Sequence, residues 1–175
     1  METNKLKNIV ETLLFITDKP IPLAKFVEVF DDSTTKEEIL QVLDTIKQEY
    51  MQAQKPMELR EVANGFQFAT KQEFGQWVRR LFKERLTMKL SPSAMETLSI
   101  IAYKQPITRA GVEEIRGVDV AGVLETLLER KLVRIAGRKE VPGKPLVYCT
   151  TQEFMRYFGL TSLSDLPSLE EMNKE

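Results

Sequence analysis

The sequence has no histidine and a single cysteine, Cys149, in 175 residues. Without histidine there is no Ser-His-Asp or Cys-His nucleophile system, no imidazole general base, and no HExxH or Cys₂His₂ metal site. One cysteine cannot close an internal disulfide or form a CxxC pair, so nothing in the chain calls for an oxidising compartment. Neither sign of charge dominates, with 25 Lys+Arg against 26 Asp+Glu and a formal charge of −1. That balance does not predict the strongly basic footprint of a dedicated nucleic-acid-binding domain. Long apolar runs are lacking too. Asp18 and Lys19 break the best early candidate, well short of the ~20 residues that a membrane span needs. The opening Met1-Glu2-Thr3-Asn4-Lys5 leads into an amphipathic pattern rather than a signal core. The expectation is a cytosolic protein, by length one ordinary domain or two small ones.

What is present is a duplicated pattern. Glu11-Thr12-Leu13-Leu14-Phe15-Ile16 is echoed by Glu96-Thr97-Leu98-Ser99-Ile100-Ile101, and each stretch runs into a Pro-Ile punctuation, Pro20-Ile21 and Pro106-Ile107. Beyond these, Leu23, Phe26, Val27 and Phe30 form a short helical stripe in the first copy, as Val112 and Ile115 do in the second. A longer amphipathic helix follows in each. Thr35 with Glu38 fits a capping box ahead of Ile39, Val42, Leu43, Ile46 and Tyr50. Asp119 can cap a helix carrying Val120, Val123, Leu124, Leu127 and Leu128.

After both third helices the period changes from helical to alternating. Glu58–Val62, the turn pair Asn64-Gly65 and Phe66–Thr70 read as a β-hairpin. The second copy has Leu132–Ile135, a longer loop holding Gly137, Pro142, Gly143 and Pro145, then Leu146–Thr150. Three helices followed by a two-stranded hairpin is the winged-helix plan, and it occurs twice. The expected fold class is mainly α with small β wings (α+β), as tandem winged-helix domains. Between the copies, Phe74, Trp77, Val78, Leu81 and Phe82 form a helical stripe, and Ser91-Pro92 supplies a cap and first-turn proline for the next helix. A helix at Glu153–Phe158 follows the second wing. The expected domains are 1–88, 89–160 and an acidic, mobile tail over 161–175.

Motifs for catalysis fail on inspection. Gly117 to Gly122 has the glycine spacing of a P-loop, but Val123 and Leu124 stand where Lys and Ser or Thr are required. Adjacent carboxylates such as Glu37-Glu38 and Glu113-Glu114 point about 100° apart on a helix and do not converge as an acid/base pair. Cys149, in an expected strand with no histidine in the chain, reads as a small buried hydrophobe. No enzyme and no cofactor is expected.

A winged helix that reads DNA offers Arg, Lys, Asn or Gln from its third helix. Here the outward positions are Glu37, Gln41, Asp44, Thr45 and Gln48 in the first copy, and Ala121, Gly122, Glu125, Thr126 and Glu129 in the second. These surfaces are acidic or bare and repel a polyanion. Basic residues lie elsewhere: six cations and one carboxylate between Arg130 and Lys144, and a second basic stretch from Lys71 to Lys89. Arg134, Arg138, Lys139 and Lys144 fall on or near the second wing. They are either a solvated basic face or an auxiliary contact to phosphates. Two apolar groups leave a similar choice. Phe74, Trp77, Leu81 and Phe82 either pack a linker helix on its own domain or form a dimer contact. Phe154, Tyr157 and Phe158 either close the second domain or receive a partner peptide. Arg116, before a turn at Gly117, either belongs to that turn or reaches a partner carboxylate.

Leu90-Ser91-Pro92 runs through Ala102-Tyr103-Lys104-Gln105-Pro106-Ile107-Thr108 to Ile115-Arg116-Gly117-Val118. Gly143-Lys144-Pro145-Leu146-Val147-Tyr148 then leads into Thr150-Thr151, and Phe154 and Phe158-Gly159-Leu160 into Asp165-Leu166-Pro167. In these motifs and their order the chain resembles the segregation and condensation protein B family, and the resemblance runs from about Asn8 to Leu169. It implies a non-catalytic homodimer that binds the kleisin subunit, segregation and condensation protein A, and through it the SMC ATPase. The role implied is chromosome condensation and partition, in the cytoplasm at the nucleoid. In this picture Phe74, Trp77 and Leu81 are the candidate dimer interface. Arg116, Tyr148, Phe154, Tyr157 and Phe158 are the candidate kleisin contacts, and weak DNA contact falls to the basic wing. The rival reading is a winged-helix transcription regulator that binds DNA through that wing.

Overall fold

The structure is a computed structural model, and it describes residues 3–30, 34–82 and 89–168. The described chain forms two compact units, one made of the residues up to 82 together with 159–168, the other of 89–158.

The first unit opens with α1 (Thr3–Ile16), α2 (Leu23–Val29) and α3 (Lys36–Gln52), then the hairpin β1 (Met57–Val62) and β2 (Gly65–Thr70). Leu6, Val10 and Leu14 recur every fourth residue along α1, so one stripe faces inward. They meet Phe26 of α2, Ile39, Val42, Leu43 and Ile46 of α3, and Leu59 of β1. The capping box of α3 is present. The Thr35 hydroxyl accepts from the Glu38 amide at 3.2 Å, and the Glu38 carboxylate accepts from the Thr35 amide at 2.8 Å. A 3₁₀ turn, Gln72–Phe74, leads into the short helix α4 (Gly75–Leu81).

The hairpin turn lies one residue earlier than the Asn64-Gly65 pair suggests. Val62 pairs with Gly65, and the connection is Ala63 and Asn64, with φ of 51° and 58°. Positive φ at both positions is what a two-residue hairpin of type I′ demands. Gly65 opens β2 instead, where a Cβ would lie 2.9 Å from the Ile21 carbonyl carbon. Ile21 and Phe66 exchange backbone hydrogen bonds of 2.8 and 2.9 Å across that contact. The glycine therefore serves a close approach between backbones rather than the turn.

The second unit contains α5 (Pro92–Lys104), β3 (Ile107–Thr108), α6 (Arg109–Arg116), α7 (Ala121–Glu129), β4 (Val133–Arg138), β5 (Leu146–Thr150) and α8 (Gln152–Phe158). Ser91 caps α5 through the Ala94 amide, with Pro92 at the first helical position, as expected. The N-cap of α7 is Val120 rather than Asp119, yet Asp119 still accepts from the Ala121 amide at 2.9 Å. Pro106-Ile107 is more than punctuation: Ile107 and Thr108 pair with Tyr148 and Val147, giving an antiparallel sheet in the order β3-β5-β4. Ile115, expected beside Val112 in the core stripe, is exposed. Arg116 takes the inward place one residue on.

Each unit thus carries three helices followed by a β-hairpin wing, and the fold class is α+β with two winged helices. The duplication lies in the fold more than in the matching letters. Leu14 is buried where its letter partner Ser99 is exposed, and Thr97 is buried where Thr12 is exposed.

Gly159, with φ of 68°, ends α8, and the chain returns to the first unit. The Leu160 carbonyl accepts from the Ala63 amide at 2.8 Å and the Thr161 carbonyl from the Asn64 amide at 2.9 Å. The Thr161 hydroxyl donates to the Glu61 carbonyl at 3.1 Å. Leu160 and Thr161, at the start of the tail, are thus hydrogen-bonded to the first wing, and Asp165 accepts from the Thr161 and Ser162 amides. The remaining tail residues, 169–175, lie outside the described residues.

Candidate functional site

The third helices present the outward surfaces expected of them. On α7, Gly122, Glu125 and Glu129 are exposed while Ala121 and Thr126 are half-buried, and on α3 Glu37, Gln41, Asp44 and Thr45 are exposed while Gln48 is half-buried. Carboxylates stand where a groove-reading helix offers donors to a polyanion.

The wing of the second unit gathers the cations. Arg134, Arg138, Lys139 and Lys144 are all exposed. The loop they share is folded rather than slack: Arg138 Nη1 donates to the Lys144 carbonyl, the Lys139 amide to the Pro145 carbonyl and the Lys144 amide to the Val141 carbonyl, each at 2.9 Å. After Val133 every residue of β4 is exposed, and the strand sits at the edge of its sheet. Of the basic stretch from Lys71 to Lys89, residues 83–88 lie outside the described residues.

The five residues expected at a kleisin surface separate into two groups. Tyr148 and Phe154 are buried in the core of their unit. Arg116 turns inward: Nη1 donates to the Ser93 carbonyl at 2.8 Å and to the Thr97 hydroxyl at 2.7 Å, and Nη2 pairs with Glu96 at 2.9 Å. Tyr157 and Phe158 are the exposed pair. Their rings meet edge to face at 5.0 Å, and the Phe158 ring lies 5.0 Å from that of Phe154, so the exposed aromatics stand on a buried one. Cys149 is free and half-buried.

On the first unit, Phe74, Trp77 and Leu81 are exposed, Trp77 by 56% and Leu81 by 79%, and no residue of α4 is buried. The Arg80 guanidinium lies 4.8 Å from the centroid of the Trp77 ring. A second apolar surface was not anticipated. Phe15 and Ile16 at the end of α1 are 77% and 75% exposed. The signal was in the run Leu13-Leu14-Phe15-Ile16: four consecutive helical residues sweep about 300°, so they cannot all face one core. Phe15 borders an open groove of about 370 Å³ with Tyr50, Met57 and Phe68. There the Tyr50 hydroxyl donates to Glu11 at 2.5 Å. Burial, then the Glu11 bond and charge, push the Tyr50 phenol up to about 12.

Among the described residues, no group of three or more His, Cys, Asp or Glu side chains is placed to hold a metal ion, and no helix is long and apolar enough to cross a membrane.

Two winged helices with acidic third helices match a known family. Its model, described as the segregation and condensation complex subunit ScpB, fits residues 8–169. The chain belongs to the ScpB family. A segregation and condensation protein B of Syntrophotalea carbinolica is 45% identical over 99% of this chain and 87% of its own. That of Clostridium tetani is 42% identical over 99% of this chain and 92% of its own. Among solved structures, ScpB from Mycobacterium tuberculosis is 29% identical, covering 92% of this chain and 99% of that one, with a TM-score of 0.45. Membership of the ScpB family makes the chain an accessory subunit in chromosome segregation and condensation, not an enzyme.

Proposed function

We propose that the chain is a homodimeric subunit of a bacterial SMC–kleisin complex, binding the kleisin and supporting chromosome condensation and partition at the nucleoid. The observation that carries this reading is the family match over nearly the whole chain, on two winged helices whose third helices face solvent with carboxylates. A fold used elsewhere to read DNA is here disposed to bind protein. Residues 1–88 supply the dimer contact, with Phe74, Trp77 and Leu81 as its apolar centre. Residues 89–160 receive the kleisin's central segment, and Tyr157 and Phe158 are the members of the candidate set that a partner meets without unpacking the core. ATP hydrolysis belongs to the SMC partner, and this chain fixes the geometry of a flexible linker protein.

Two small domains favour such pairing, since each has a limited core and much surface. The test is co-purification with a kleisin central fragment, with mass measured by light scattering. A dimer that captures the fragment is the expected result, and a monomer that ignores it overturns the reading. A salt series separates the rival regulator. Tight, sequence-selective DNA binding with a steep salt slope by the isolated chain is the outcome that favours it.

A further inference from the structure

We propose that the outer edge of β4 is a docking site for an extended acidic segment of a partner polypeptide, which adds to the sheet as a fourth strand. The inference rests on the reading above that the second unit receives a partner chain, and it states how that chain is held.

Three observations meet at this edge. β4 is terminal in the order β3-β5-β4, so among the described residues it has one strand neighbour, and its other side presents main-chain donors and acceptors to solvent. Its surface is open over its length, from Arg134 to Arg138. An edge of six residues is about 20 Å long, enough for several main-chain bonds to an incoming strand.

The second observation is the bulge. Ile135 pairs with Tyr148 and Gly137 with Val147, so Ala136 has no partner across the ladder. Strand residues alternate between faces, and an extra residue reverses the alternation beyond it. Arg134, opposite Cys149, and Arg138, opposite Leu146, therefore lie on opposite faces of the sheet rather than on one. An incoming strand meets a cation on either side, with exposed Ile135 between them as an apolar contact.

The third observation is charge, and it selects the occupant. Between Arg130 and Lys144 the only carboxylate is Glu140. Two copies of so basic an edge repel each other, which disfavours pairing between copies of this chain. An acidic strand has its charges neutralised on both faces. Duplex DNA shares the negative charge, but it has no strand backbone to pair with the edge, and the helix that would enter its groove carries Glu125 and Glu129.

The test uses the full chain, isotopically labelled, and a short synthetic peptide of alternating valine and glutamate. Expected are shifts and slowed hydrogen exchange at β4 amides on titration. The same peptide N-methylated at alternate residues, which keeps the charge but loses one hydrogen-bonding edge, binds at least about tenfold more weakly. A lysine-for-glutamate peptide fails to bind. The double variant Arg134→Glu with Lys139→Glu, which spares the Arg138 loop bond, loses the acidic peptide without a change in thermal unfolding. Equal binding of the methylated or lysine peptide overturns strand addition, as does an acidic peptide that leaves β4 unaffected. Preferential protection of the same amides by a mixed-sequence duplex also overturns it. The two readings fail separately. A captured kleisin fragment that leaves β4 exchange unchanged sinks the edge and spares the partner, whereas an edge that binds the peptide in a chain that ignores the fragment does the reverse.

Discussion

The Gln105 side-chain oxygen accepts from both the backbone amide and the hydroxyl of Thr150, at 2.7 and 2.9 Å. The amide nitrogen of the same side chain donates to the Ala102 carbonyl at 3.0 Å, so one glutamine ties the end of α5 to the last residue of β5. Thr150 is buried. Gln105→Ala leaves an amide and a hydroxyl without their partner, a loss of about 2–4 kcal/mol. Gln105→Glu keeps the acceptor and loses only the donor, so its loss is smaller. Because Trp77 lies in the first unit, urea unfolding followed by hydrogen exchange at the Thr150 amide is the suitable readout. Equal losses for the two variants count against this account.

Arg116 does comparable work between α6 and α5. Its guanidinium serves the Ser93 carbonyl and the Thr97 hydroxyl, while its side chain is 14% exposed and Glu96 is 62% exposed. The pair with Glu96 therefore adds little, and the bonds to α5 carry the effect. Arg116→Met keeps the stem and removes the donors, at a cost of about 1.5–3 kcal/mol. Glu96→Gln costs less than ~0.5 kcal/mol. Calorimetry on both variants checks the ranking. If Arg116→Met weakens kleisin capture with no loss of stability, the arginine acts at the interface after all.

The raised pKa of Tyr50 gives a pH dependence of definite sign. Its hydroxyl stays protonated in the folded chain up to about 12, against an ordinary value of 10.0, because burial and the Glu11 bond both disfavour the phenolate. A folded value above the unfolded one gives stability that is complete below pH 10 and lost as the pH rises toward 12. The stability difference between the parent chain and Tyr50→Phe should be constant through neutral pH and shrink between pH 10 and 12. Denaturant titrations across that range measure it, and a constant difference to pH 12 excludes the coupling.

Gly65→Ala places a methyl group 2.9 Å from the Ile21 carbonyl carbon and 3.0 Å from the Pro20 side chain. Backbone cannot yield as a flexible side-chain tip can, so the paired bonds between Ile21 and Phe66 lengthen, and the cost is about 1–3 kcal/mol. Asn64→Gly, at a position with positive φ, is by contrast close to neutral. The two thermal midpoints distinguish a glycine kept for backbone approach from one kept for the turn.

These residues also explain what was readable in advance. The Thr35–Glu38 box and the Ser91-Pro92 start were legible because a cap acts locally, within one turn of chain. The core stripes of α1 and α3 were legible because burial imprints the helical period. Gly65 was misplaced because a glycine required by a distant backbone looks in sequence like one required by a turn. Arg116 was ambiguous because the groups it bonds, Ser93 and Thr97, are about twenty positions away, and nothing local reports that they are near. Likewise the tie from Leu160 and Thr161 to Ala63 and Asn64 joins segments almost a hundred residues apart, and no periodicity records it.

Helix α4 supplies the last prediction. It has seven residues, none of them buried, yet it carries Trp77 and Leu81 beside exposed Phe74. So short a helix is unstable on local interactions alone, and its exposed Trp77 and Leu81 gain little apolar burial from it unless another surface covers them. If that surface belongs to a second copy, helicity of α4 depends on dimerisation. Leu81→Asp should then raise the dimer dissociation constant at least about tenfold, since it buries a charge in an apolar contact. Stability of the first unit's core at high dilution should stay unchanged, because no core residue lies in α4. Sedimentation across a dilution series measures the first effect and calorimetry the second. Trp77 fluorescence should move to longer wavelength on dilution in the parent chain and show no such transition in Leu81→Asp. A dimer of undiminished affinity in this variant moves the interface away from α4, and Phe15→Asp on α1 is then the substitution that should break it.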